Sequence, residues 1–130
     1  IECFGFKEIR YFALFQLNKD QSVEVLEHYL DFMDKLFGGV RFIMLRRNPE
    51  AISKSSWWAS SNPDVLIPDI RRFHSALTEY AEKNSDFCTV VDYEDINQNM
   101  DSIRSLYRFL GEEEKFDADQ VRQILDTRHA

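Results

Sequence analysis

Residues 42–55, FIMLRRNPEAISKS, run from an apolar stretch through two arginines and an Asn-Pro step into a helix-like segment rich in serine. No other feature restricts the fold as tightly. Val, Phe, Ile, Met and Leu fill residues 40–45 almost without a break, the pattern of a strand buried on both faces. Pro49 suits the first position of a helix and Asn48 its N-cap, which predicts a helix from 49 to about 58. A strand that feeds directly into a capped helix is a βα unit, the first part of a βαβ crossover.

The same alternation recurs on either side. Residues 1–9 (IECFGFKEI) read as a buried strand, and 87–92 (FCTVVD) as a third. Val23, Leu26, Leu30, Met33 and Phe37 fall three and four apart, an amphipathic helix that Gly38-Gly39 stops. Residues 59–67 read as a loop, after which Pro68 opens a helix with Ile70, Phe73, Leu77 and Tyr80 on one face. A helix over about 101–110 ends at Gly111, the acidic run 112–114 reads as a solvated turn, and Asp117 with Gln120 makes a capping-box start for the last helix.

Strands alternating with helices predict an α/β protein with a parallel sheet and right-handed crossovers. Three strands are few for such a sheet, and the chain begins at Ile1 inside a strand pattern. The expected architecture is therefore a three-layer fold incomplete on its N-terminal side. At 130 residues and 44% hydrophobic, the chain suffices for one domain with a real core. Ligands of open parallel sheets sit at the carboxyl ends of the strands. Lys7, Glu8, Arg46, Arg47 and Tyr93-Glu94-Asp95 are expected to gather there.

A formal net charge of -7 argues against nucleic acid and anionic membranes as partners. The apolar runs are too short for a membrane span, no signal-peptide pattern opens the chain, and a cytoplasmic setting is the default expectation. Cys3 and Cys88 sit in strand-like stretches with no CxxC spacing and read as reduced core thiols. His28, His74 and His129 share no ligand spacing with a third partner, so no metal is expected. An anion site on so acidic a chain must be local, and Arg46-Arg47 is the tightest cationic pair at a strand-to-helix turn.

On a helix starting at Pro49, Ser55 returns to the face of Asn48 after two turns, about 10 Å along the axis. A phosphate there meets a bidentate Arg47, the Ser55 hydroxyl and free helical N–H groups. The residues alone leave a second reading open, in which Arg47 pairs with a carboxylate at the sheet edge and Ser55 binds nothing. Glu94 or Asp95 is then the anchor for Arg46 or Arg47. Trp57-Trp58 lines a pocket or closes a core.

RRNPEAISKS resembles the 3′-phosphate-binding segment of sulfotransferases that use 3′-phosphoadenosine 5′-phosphosulfate (PAPS). In that family an Arg followed by Asn/Asp-Pro ends a strand and a Ser stands eight residues on, as Arg47 and Ser55 do. GFKEIRY (5–11), and VVDYEDI with SLYRFLG (105–111), resemble the flanking strand and the later strand and helix in the same order. The resemblance covers most of the chain. It implies a P-loop-like fold, a PAPS cosubstrate held by Arg47 and Ser55, and sulfuryl transfer to a hydroxyl or amine acceptor.

The family's Lys-containing loop for the 5′-phosphosulfate has no counterpart in these residues. The resemblance therefore implies that the chain is the C-terminal portion of a sulfotransferase domain, with that loop upstream of Ile1 and little activity without it. Cytosolic members place a His near the strand end that GFKEIRY resembles; this chain offers Lys7, Glu8 and Arg10. Glu8 is the expected base and Lys7 the group that steadies the sulfate, against a plain reading as exposed surface pairs. A non-catalytic α/β scaffold and an ATP-dependent small-molecule kinase are the alternatives.

Overall fold

A computed structural model describes residues 11–17 and 19–128. Seven α-helices and two strands follow one another: α1 (Tyr11–Leu17), α2 (Ser22–Phe37), β1 (Phe42–Arg46), α3 (Pro49–Ser53), α4 (Pro63–Lys83), β2 (Cys88–Asp92), α5 (Tyr93–Ile96), α6 (Met100–Phe109) and α7 (Ala118–Arg128). Short 3-10 turns occupy Lys19–Gln21, Ser56–Ser60 and Glu113–Lys115. The protein is thus mixed α/β and mostly helical. The strand expected over 1–9 lies outside the described residues, as does Cys3.

β1 and β2 pair in parallel, with Phe42 opposite Cys88 and Arg46 opposite Asp92. Parallel neighbours need a crossover, and α3 with α4 supplies it. Only one face of β1 is covered among the described residues. Met44 is buried, whereas Ile43 and Leu45 on the other face are 40% and 46% exposed. The apolar run at 40–45 predicts burial on both sides, so the structure corrects that expectation. Helices cover the Met44 face, and the layer a three-layer fold requires on the other face is not present among the described residues.

The covered face meets Leu26 and Leu30 of α2 and Leu77, Tyr80 and Ala81 of α4, with Phe15 and Cys88, in one cluster. Phe12, Leu66 and Ile70 form a second, and Phe73 packs against both. The spacing of Ile70, Phe73, Leu77 and Tyr80 put these residues on one face, as the sequence predicts. On α2 the buried set is Ser22, Leu26, Leu30 and Met33; Val23 and Phe37 are exposed. Tyr80 donates its hydroxyl to Asp31 Oδ1 at 2.8 Å, tying α4 to α2 at the only polar atom of a buried ring.

The helix ends follow local chemistry. Gly38 ends α2 at φ 68°, a left-handed conformation that costs glycine nothing. Asn62 accepts from Asp64 N–H and starts α4 at Pro63, five residues before the expected start, so Pro68 lies inside the helix. Asp117 accepts from the N–H groups of Asp119 and Gln120 and caps α7. None of the described helices is long and apolar enough to cross a membrane.

Candidate functional site

In-register pairing carries β1 and β2 to the same level, so the residues that follow Arg46 and Asp92 emerge side by side. The chain turns helical at Tyr93, straight after β2, which keeps Tyr93 and Glu94 beside the end of β1. Ser102 Oγ, donating to Asp95, holds α5 from the α6 side. Three contacts follow in step along the two chains.

Arg46 donates from Nε and Nη2 to the two carboxylate oxygens of Asp92, at 2.9 and 3.0 Å, and from Nη1 to Thr78 Oγ1 at 2.9 Å. Each of its three guanidinium nitrogens thus donates to β2 or α4. Arg47 lies with its guanidinium carbon 4.8 Å from the Tyr93 ring centroid, and no carboxylate of the described residues is within ion-pair distance of it. Asn48 donates its N–H to Glu94 Oε1 at 2.8 Å. Arginine to carboxylate, arginine to ring and backbone to carboxylate thus stitch 46 to 92, 47 to 93 and 48 to 94.

The sequence expects Glu94 or Asp95 to anchor an arginine. The anchor of Arg46 is Asp92, and Glu94 holds backbone. Asn48 is the N-cap, accepting from Ala51 N–H at 3.0 Å, with Pro49 first in the helix as expected. Asn48 O accepts from Ile52 N–H at 3.1 Å. The N–H groups of Asn48, Ala51 and Ile52 are therefore taken and Pro49 has none. Of the first turn, the Glu50 N–H alone is left for an anion among the described residues, so any grip there rests chiefly on side chains.

Ser55 departs furthest from expectation. α3 ends at Ser53 instead of running to about 58, and Ser55 is extended at φ -98°, ψ 140°. Its hydroxyl donates to Ile52 O at 2.8 Å, and its N–H reaches the same oxygen at 2.9 Å. Ser53, whose hydroxyl donates to Glu50 O, competes with the helix in the same way. Beyond the break Trp58 packs edge-on against Phe12, 5.4 Å between centroids, which draws the chain into the second core cluster. For Trp58, then, the core reading holds.

Arg46 also borders a shallow hollow of about 490 Å³ between β1 and α4, lined by His74, Ser75, Thr78, Glu79 and Glu82. Burial, and then the Arg46 charge, hold the His74 imidazole below its ordinary pKa, against the opposite pull of Asp92 and Glu94. Arg47 and Ser55 do not line it. On β2, Cys88 is free and buried, its thiol pushed up to about 12 chiefly by burial. Lys7, Glu8 and Arg10 lie outside the described residues, so their gathering at this edge has no counterpart to report. Compared with protein-family models, curated proteins and solved structures, the chain finds no match.

Proposed function

We propose that the chain forms the 3′-phosphate-binding part of a PAPS-dependent sulfotransferase with a P-loop-like fold, acting on a hydroxyl or amine acceptor. One observation carries the reading: of two adjacent arginines at the carboxyl end of a parallel strand, Arg46 is consumed internally and Arg47 is not. The Tyr93 contact places a ring, and no oxygen acceptor, beside the Arg47 guanidinium. Its N–H groups stay available for a bidentate pair with a phosphate.

Ser55 joins by rotation about χ1, exchanging Ile52 O for a phosphate oxygen as acceptor. The donor nucleotide supplies the sulfuryl group. The acceptor's oxygen or nitrogen attacks sulfur, the bond from sulfur to the bridging phosphate oxygen breaks, and the acceptor's proton leaves to a base. Glu8 is the proposed base and Lys7 the proposed partner of the charge that builds on the bridging oxygen, both on the family resemblance.

The test compares adenosine 3′,5′-bisphosphate with adenosine 5′-monophosphate by calorimetry, in the wild type and in Arg47→Ala. The bisphosphate should bind more tightly to the wild type. Arg47→Ala should remove about 1.5–3 kcal/mol of that binding, the worth of a charged hydrogen-bonded contact. Equal affinity of the wild type for the two nucleotides, or an Arg47→Ala variant that keeps the difference, would leave the non-catalytic scaffold as the better reading.

A further inference from the structure

Resting on that reading, we infer that Glu94 is a positioning residue for the 3′-phosphate grip. It acts on Arg47 through the backbone of Asn48 and does not touch the ligand. Arg47 directly precedes Asn48, the N-cap of α3, so the direction of its side chain depends on where the 47–48 peptide is held. That peptide carries the Asn48 N–H, and Glu94 Oε1 accepts from it at 2.8 Å. The peptide plane is thus fixed from one side by Glu94, and the guanidinium from the other by the Tyr93 ring. Both come from the first turn of α5, whose own position Asp95 secures by accepting from Ser102.

A carboxylate beside an anion site is unfavourable by charge alone, since like charges repel. Its presence calls for a compensating role, and fixing a backbone donor next to the binding arginine provides one. Spending the Asn48 N–H on Glu94 also keeps it from drawing the phosphate toward the helix and away from the Arg47 fork. Pre-set geometry of this kind reduces the ordering cost at binding.

Three substitutions separate reach from charge. Glu94→Gln keeps an acceptor oxygen at the same distance without the charge. Glu94→Asp keeps the charge but falls one methylene short of Asn48 N–H. Glu94→Ala removes both. The readout is the ratio of affinities for adenosine 3′,5′-bisphosphate and adenosine 5′-monophosphate, with the thermal midpoint measured alongside.

Positioning predicts that Ala and Asp each lower the ratio by roughly tenfold, the scale of one hydrogen bond at a charged site. Gln should stay near the wild type, and monophosphate affinity should not move. In the Arg47→Ala background, Glu94→Ala should cause no further loss. A ratio that is kept or raised in Glu94→Ala overturns the inference and makes Glu94 a bystander or a competitor of the phosphate. If Asp behaves as the wild type and Gln as Ala, the charge is what matters and the inference also falls. Should Glu94→Ala fail to fold, the Gln and Asp pair decides alone. A wild type without any preference for the bisphosphate instead removes the function on which the inference rests.

Discussion

Arg46 and Asp92 face each other at the last paired position of the sheet, joined by two N–H···O bonds of 2.9 and 3.0 Å. A guanidinium fork on a carboxylate is the strong form of an ion pair because both groups are planar and two bonds form at once. Here the pair also defines a division of labour, since it satisfies Arg46 and leaves Arg47 for another task. The third bond, to Thr78 Oγ1, adds α4 to the joint. Strand end, strand end and helix therefore meet at a single side chain.

Asp92→Asn should loosen that joint. The side chains are 32% and 48% exposed, so water screens the pair and its worth is far below that of a buried ion pair. The expected loss is about 1 kcal/mol, read as a lower urea midpoint at unchanged slope. An unchanged midpoint would mean that Thr78 and water hold Arg46 equally well.

How much of this was legible depends on how local each cause is. Asn48 with Pro49, and Asp117 with Gln120, are caps set by neighbours within three residues, and both stand where the sequence puts them. Asn62-Pro63 carries the same signal as Asn48-Pro49, and reading it would have placed the start of α4. Pro68 follows Ile67, which cannot cap. The partner of Arg46 was not legible, because it depends on a register between strands more than 40 residues apart. Ser55 was missed for a related reason: the break in α3 comes with Trp58 packing on Phe12, a contact between distant segments. The apolar run at 40–45 signals a sheet covered on both sides, yet Ile43 and Leu45 are exposed among the described residues.

Pro68 supplies the second prediction. It lies in the interior of α4, is exposed, and has no N–H for the carbonyl four residues earlier. An interior proline costs a helix about 3 kcal/mol. Part of that is offset because proline also restricts the unfolded chain, by about 0.4–1 kcal/mol. Pro68→Ala should therefore raise stability by about 2–2.6 kcal/mol, measured by urea unfolding. A lower stability instead would show that the helix must bend at Pro68 for Leu66 and Ile70 to enter the second core cluster together.

His74 predicts how stability follows pH. Its imidazole is half-buried in α4 beside Arg46, and both surroundings disfavour the charged form, so its folded pKa lies below the ordinary 6.5. The carboxylates of Asp92 and Glu94 pull the other way and are the smaller effects. A proton therefore binds the unfolded chain more readily than the folded one. The stability His74 contributes is fully present above about pH 6.5 and declines as pH falls from there to the folded pKa. Below that value the loss levels off. His74→Gln should flatten the unfolding free energy on the acid side of about pH 6.5, relative to the wild type. Because the two proteins differ only at position 74, the difference between the two profiles isolates His74. Parallel profiles across that window would show that the imidazole takes up its proton in the folded protein without penalty.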